Sequence, residues 1–417
     1  MGYVLGKAAT LLSIIFLLFP VVINAQGSSA ISMLGFNPNP QSFGLGMSGV
    51  SLPTNDPLGF YFNPAILGYS NQTNNLSVQF YTDKVNWMQR ILPTGPTYNN
   101  LGISAGYNFG DIYNGLNLSA GVGFISSKID YGFLGYYDQY ANLIQYFNSY
   151  DQYNAYSMGA SFEYFVNLSL GLTIKRIDSK LSPMPNGEAF ITAMDWGVLL
   201  NVPISKLAVP DLVYEPFENI TLKPIVNLSV GYSRSNIGSE IYYIDPAQAD
   251  PLPLTARLGY TLSLGSDLLI GGHSINFFTY DISIESEDLL ISTNTSGTFS
   301  YQGLLGDIKP WQNLFEWKKS DNMILRKSRK LSLFETVSFL NGSYYNSYQY
   351  SNWTNGIIIC TNGIFKLLSR NFNDSQYIKF FFDHFNVQYV KASWFYALSE
   401  IETKVEAISI SFSKFIF

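Results

Sequence analysis

The sequence predicts an all-β protein, a transmembrane antiparallel β-barrel of about fourteen strands with an N-terminal hatch segment ahead of it. Three observations predict this. Charged residues make up only 13% of the 417, roughly half the ~25% of an ordinary soluble domain, while aromatics reach 16%. Mean hydropathy is only +0.08, and after residue 25 no run approaches the ~18–20 apolar residues of a membrane helix. Period-2 alternation recurs along the chain with Gly, Ser, Asn and Thr on the second face, as in strands with lipid on one side and a wet lumen on the other. A soluble sandwich also alternates, but its outer face carries Lys and Glu.

The elements follow in order. Residues 1–25, "MGYVLGKAATLLSIIFLLFPVVINA", place one positive charge at Lys7 before an apolar run from Ala8 to Val22 and a small-residue cleavage site. That is the pattern of a secretory signal peptide, too short and wrongly flanked for a span. With no Cys after it, lipoprotein acylation is not expected. Residues 26–72 form the hatch, rich in Gly and Pro. Within it, Asn63-Pro64-Ala65 reads as a rigid turn into a short helix, because Asn caps and Pro fixes φ. The apolar hatch residues Phe36, Leu45, Met47 and Phe60 suit either a channel lining or a permanent plug.

Residues 73–417 carry the barrel. Alternation and turn signals place strands at 75–83, 99–110, 115–129, 155–164, 167–177, 189–200, 225–234, 254–264, 268–284, 322–334, 337–345, 353–367, 383–396 and 405–415. Fourteen is even, as a barrel with both termini on one side requires. Connections after even strands are mostly tight and those after odd strands long, with 201–224 and 368–382 as exceptions. Asn-Leu-Ser recurs at 75–77, 117–119, 167–169 and 227–229; its Asn and Ser share the lumen face, which disfavours reading the sequons as glycosylation sites. On the last strand, Ile408, Ile410 and Phe412 point to lipid. Phe415 and Phe417 fall in the other phase, implying a bulge near Ser413–Lys414, and form a C-terminal signal for barrel-assembly machinery.

The hatch stretch Gly46-Met47-Ser48-Gly49-Val50, with Asn55-Asp56 and Asn63-Pro64-Ala65-Ile66-Leu67, resembles the PorV/PorQ family, relatives of FadL-type barrels. That family's hatch reads "GMGGA…A…DD…NPA.LA". The stretches 171–181, 195–197 and 235–260 match as well, so the resemblance spans nearly the whole mature chain. It departs at Asn55, where the family has an acid, and at Leu340–Tyr345, where an arginine is missing. The resemblance implies a PorV-like interaction protein that holds secreted proteins in type IX secretion, its partners being the translocon and their C-terminal domains. The alternative is a FadL-like transporter of hydrophobic small molecules gated by the hatch.

Other function classes find little support. A net charge of −6 and pI near 5.0 argue against nucleic acid. His273 and His384 stand in separate strands without metal-ligand spacing, Cys360 is alone, and no nucleophile–base set or cofactor motif occurs. We expect no enzyme, no cofactor and no metal. Glu285, Glu287 and Asp288, and the basic patch Lys318, Lys319, Arg326, Lys327, Arg329 and Lys330, read by default as solvated loop residues; outer-membrane lipid is the partner the basic patch would take. The stretch 131–157, with Tyr136, Tyr137, Tyr140, Tyr146, Tyr150 and Tyr153, reads equally as an aromatic girdle with a polar loop or as the candidate protein-binding loop, around 131–154, since Tyr gives adaptable contact at low entropic cost.

Overall fold

Alternating strands with one polar and one apolar face cannot bury both in a single open layer in lipid, because free sheet edges would leave backbone groups unpaired. Closure solves this. The computed structural model describes residues 29–70, 74–86, 95–184, 187–209, 212–217, 220–243, 249–270, 273–293, 299–320, 323–345, 351–369, 376–395 and 402–414. Within them, fourteen antiparallel strands close into a barrel. They are β1 (Asn75–Tyr81), β2 (Thr97–Tyr113), β3 (Leu116–Tyr137), β4 (Leu143–Glu163), β5 (Asn167–Lys180), β6 (Glu188–Pro203) and β7 (Ile220–Gly238). The rest are β8 (Thr255–Ile270), β9 (His273–Leu289), β10 (Met323–Leu333), β11 (Val337–Tyr345), β12 (Ser351–Cys360), β13 (Phe385–Phe395) and β14 (Glu402–Ser413). Each pairs with the next, and β1 closes the ring by pairing with both β2 and β14.

The count agrees with the sequence; several boundaries do not. β3 and β4 extend well past the expected 129 and 155, so the segment read as loop 131–154 is mostly a hairpin with its tip at 138–142. β8 runs through 265–267, with a bulge at Ser266/Asp267 where a turn was expected. β9 reaches Leu289, and β12 stops at Cys360 instead of continuing to 367. α4 (Asn362–Ser369) occupies the expected end of that strand, and α5 (Gln376–His384) occupies the described later part of the connection expected at 368–382; within the one expected at 201–224, the helix α3 (Ile204–Ala208) follows β6. Residues 1–25, Phe415 and Phe417 lie outside the described residues; Lys414 takes φ 60 at the site of the expected bulge.

The lumen is filled. The N-terminal segment enters near the long-loop end, where Ala30 N donates to Pro251 O (2.9 Å). It descends through the short helix α1 (Pro40–Gly44) and leaves at the short-turn end through the helix α2 (Ile66–Ser70). Phe43, Leu45, Leu58, Phe60, Ile66 and Leu67 are all at most 2% exposed. The recurring Asn-Leu-Ser serines Ser77, Ser119, Ser169 and Ser229 point inward as expected and are buried.

What lets a plug lie so close to the wall is a row of glycines in register. Gly106 pairs with Gly121, Gly121 with Gly159, Gly159 with Gly171, and Gly171 with Gly197, across β2 to β6. A Cβ on Gly171 would sit 2.2 Å from Pro64 C, and one on Gly197 would sit 2.0 Å from Asn63 Oδ1. No other residue type fits such an approach. Behind the same five glycines, on the outer wall, runs an apolar groove of about 1110 Å³ bordered by Leu76, Met158, Leu172 and Trp196. The plug therefore rests on the wall's thinnest part. Replacing Gly171 with Val should displace the Pro64 turn and lower stability by about 1–3 kcal/mol through overpacking, read as a lower midpoint of heat-induced unfolding in detergent. Gly303→Ala, where an added Cβ meets nothing within 4 Å, should leave that midpoint unchanged.

Candidate functional site

The hatch motif is the plug's anchor. Asn63 is fully buried; its Nδ2 donates to Val50 O (2.7 Å) within the plug and to Val198 O (3.0 Å) on β6, while Oδ1 accepts from Ala65 N (3.1 Å). One side chain thus closes the turn and ties it to the wall. Pro64 and Ala65 lie on the glycine row, and Gly68 O accepts from Ser119 Oγ (2.9 Å). Asn55, at the family's acidic position, is exposed, whereas Asp56 is buried and accepts from Leu58 N (2.9 Å).

The loop 46–50 is held by charge. Gly46 adopts φ +66, the left-handed conformation glycine favours, and its N–H donates to Thr354 Oγ1 (2.8 Å). Met47 follows at φ 60, and its carbonyl accepts from Arg257 Nη1 (3.0 Å). The N–H groups of Gly49 and Val50 both donate to Glu285 Oε1, at 2.8 and 2.9 Å. Glu287 then bridges Arg257 (2.7 Å) and Arg326, so two buried guanidiniums share one carboxylate. Arg257 also stacks 3.6 Å from the Phe62 ring centroid. Glu285 and Glu287 are therefore inward residues of β9, and Asp288, in the other phase of that strand, is buried where it accepts from Asp307 N (2.7 Å), so none of the three belongs to a solvated loop; Arg326 is a buried β10 residue, not a member of an exposed patch. The free backbone groups of a plug loop require such partners, which alternation alone does not reveal.

Above this lock, at the long-loop mouth, lies a cavity of about 240 Å³ between plug and wall. Its floor is Tyr61 and Phe62; its sides include Leu34, Pro253, Leu289 and Ile324. Two cations border it, and both are neutralised in place. Lys175 Nζ meets Asp195 Oδ2 (2.7 Å) and Asn236 Oδ1 (2.7 Å) beneath the Tyr61 ring, and Arg257 meets Glu287. Ser235 and Thr255 add hydroxyls. A cavity with apolar walls and internally paired charges suits a small, mostly apolar guest. Neither Lys175 nor the cavity was singled out from sequence; an isolated Lys at an inward position of a strand, with Asp195 diagonal to it on β6, was the available signal.

The remaining expected residues scatter. Tyr153 is fully buried against Tyr61 (centroids 6.1 Å), so it belongs to the lumen rather than to a binding loop. Tyr150 is half-buried and donates to Asp178 Oδ2 (3.2 Å). Tyr136 is half-buried beside Met184, while Tyr137, Tyr140 and Tyr146 are exposed on the hairpin. Leu45, Met47 and Phe60 are buried in the plug, and Phe36 packs against that core. His384 Nδ1 lies 2.7 Å from Ser413 O at the short-turn end; His273 opens β9. Among the described residues no group of three His, Cys, Asp or Glu is arranged to hold a metal.

No family model matches the sequence, and no curated protein matches it. Solved structures do align. The Pseudomonas putida toluene transporter TodX is 12% identical, with 90% of this chain and 98% of that one covered and a TM-score of 0.40. The CymD monoaromatic hydrocarbon channel is 11% identical, with 91% and 98% covered and a TM-score of 0.38. A Pseudomonas aeruginosa FadL homologue is 10% identical, with 90% and 98% covered and a TM-score of 0.35. The overlap is coarse at these scores; the barrel reading rests on the closed strand ladder itself.

Two outcomes follow from the plug's charges. Glu287→Gln leaves Arg257 and Arg326 buried without their shared counter-ion, a loss of about 3–5 kcal/mol for a broken buried pair; limited proteolysis of the folded barrel should then cut near 46–50, where the wild type resists. Burial pushes the Asp56 carboxyl up from 3.8 to about 6, against the Leu58 N–H and the Lys330 charge. The folded state thus binds this proton more tightly than the unfolded chain, so stability falls as pH rises from 3.8 through 6 and is level above. Asp56→Asn should remove that slope in pH-dependent unfolding and raise stability at neutral pH.

Proposed function

We propose that the protein is an outer-membrane conduit for small, mostly apolar molecules, entered at the long-loop mouth and guarded by the N-terminal plug. The observation that carries this is the 240 Å³ cavity, because its floor is the plug itself, through Tyr61 and Phe62. A guest there touches the element that would have to yield for passage, and its surroundings offer apolar surface and hydroxyls, with each cation already matched. Fourteen strands enclose a lumen wide enough to need such a plug. We assign the conduit no reaction and no cofactor. The outer membrane of a Gram-negative-type bacterium is the location this reading takes, with 1–25 as the export leader and Phe415 and Phe417 as the assembly signal.

The test is uptake of radiolabelled toluene and of a mid-chain fatty acid by cells with and without the protein. Faster initial uptake of at least one probe is expected. Ser235→Phe, which fills the cavity, should reduce that uptake while the barrel stays folded in gels. Equal uptake of both probes with and without the protein rejects the proposal.

A second reading, the PorV-like shuttle, has one observation in its favour. Beyond Asp130 and Tyr150 the β3–β4 hairpin is a two-stranded ribbon with no further strand paired to it among the described residues, and it carries Phe133 (80% exposed), Tyr140 (76%) and Tyr146 (64%). Such a ribbon offers both strand edges and aromatic faces to a protein partner. Affinity capture from solubilised outer membranes should then bring down a translocon barrel, or secreted proteins sharing a C-terminal domain, and lose them when 132–148 is deleted. Capture that brings only small lipid-like molecules removes this reading.

A further inference from the structure

Most turns at the short-turn end are tight, yet the connection from β12 to β13 contains two helices whose apolar side chains stay outside the barrel. In α4, Lys366 Nζ reaches both carboxylate oxygens of Glu335 (2.8 and 2.6 Å), and Asn362 Nδ2 reaches Oε2 (2.5 Å). This pins the helix to the β10–β11 turn. In α5, Tyr377 is 89% exposed, Phe380 50%, Phe381 45% and Ile378 40%; Ile364 of α4 is 45% exposed. A surface this apolar is not stable against water on a folded domain unless something covers it.

Its neighbours indicate the cover. Phe381 stacks on Phe385 at the start of β13 (4.9 Å, 19°), and Phe380 lies 6.2 Å from Phe412 of β14. Phe412 is an outward residue, paired with the exposed Leu76 and bordering the outer apolar groove. The helices' aromatic face is thus continuous with the wall that meets lipid. The same end of the barrel shows exposed Ile112, Tyr164, Phe165 and Phe334 at its tight turns, the arrangement of an aromatic girdle. Short amphipathic helices with Phe and Ile on one face and Lys379 and Asp383 among the rest lie in the headgroup layer rather than across it.

We infer that α4 and α5 form an interfacial anchor lying in the phospholipid leaflet at the short-turn end, extending the barrel's lipid contact sideways. The occupant is the lipid surface; neither a protein partner nor a second copy is needed. The inference does not depend on what the barrel conducts.

In a Cys360→Ser background, Tyr377→Cys, Phe380→Cys and, as aqueous reference, Tyr140→Cys are labelled with a polarity-sensitive fluorophore. Each protein is reconstituted into phosphatidylcholine–phosphatidylglycerol vesicles. Tyr377 and Tyr140 are highly exposed, so labels there leave the packing intact. At 377 and 380, nitroxide-bearing lipid should quench several-fold more than aqueous iodide, with blue-shifted emission; at 140 the order should reverse. Iodide quenching at 377 and 380 equal to that at 140 places the helices in water and overturns the inference. Quenching by neither agent means that protein covers them, and overturns it equally.

Discussion

The structure depends on one close approach: the plug's backbone at Asn63–Ala65 against the backbone of β4 to β6. A Cβ at Gly159, Gly171 or Gly197 would lie 2.7, 2.2 or 2.0 Å from the nearest plug atom, closer than any Cβ can sit, and would push the turn away. Register is then fixed twice. The ladder sets it strand to strand, and the plug enforces it, because a slip of one residue would put an outward residue such as Leu170 or Val198 under Pro64. The same thinness that admits the plug leaves the groove on the outer face. Plug and wall cannot be treated as separable parts.

Close approach needs polar partners as well as room. The loop at 46–50 brings unpaired N–H and C=O groups into a lumen with little water, and the wall answers with Thr354, Arg257, Arg326 and Glu285. These side chains need neutralising in turn, which Glu287 does for both arginines. The charges of β9 and β10 are therefore a consequence of what the plug exposes. They lock a particular loop conformation, one with two successive positive-φ residues, Gly46 and Met47.

This also explains what the sequence made legible. Strand number, the inward Ser of each Asn-Leu-Ser and the turn at Asn63-Pro64-Ala65 leading into a short helix follow from local rules, and the structure has them. Glu285, Glu287 and Asp288 looked like loop because charges break the small-polar pattern, and their partners lie far off in sequence or in other elements: the plug's Gly49 and Val50 for Glu285, Arg257 and Arg326 for Glu287, and Asp307 N for Asp288. The glycine row was invisible for a different reason: each Gly is ordinary on its own strand, and only the pairing reveals the belt. Tyr, Asn and Gln on both faces of 131–154 gave no period, so the ribbon read as loop. At 357–368 an apolar strand, "IIIC", runs into an apolar helix, and a helix of eight residues is too short to announce its period.

The distribution of anchors decides which part of the plug can yield. From Gly44 to Gly68 it is bonded to β3, β6, β8, β9, β10 and β12, with three buried charges involved. Above that, the segment from Ala30 to Phe36 is held by the Ala30–Pro251 bond, by Tyr61 Oη donating to Leu34 O (2.8 Å), and by the burial of Ile31, Met33 and Leu34 in the main apolar cluster. The barrel wall is stiffer than either, since opening it means breaking a continuous backbone ladder at once. Free energies of local opening follow how many bonds must break together. On the conduit proposed above, a molecule resting on Tyr61 and Phe62 would therefore meet a wall that does not part, a lower plug locked by polar bonds, and an upper segment held mainly by apolar packing. Passage on that proposal would begin with the upper segment, where fewer polar bonds join plug to wall than between Gly44 and Gly68.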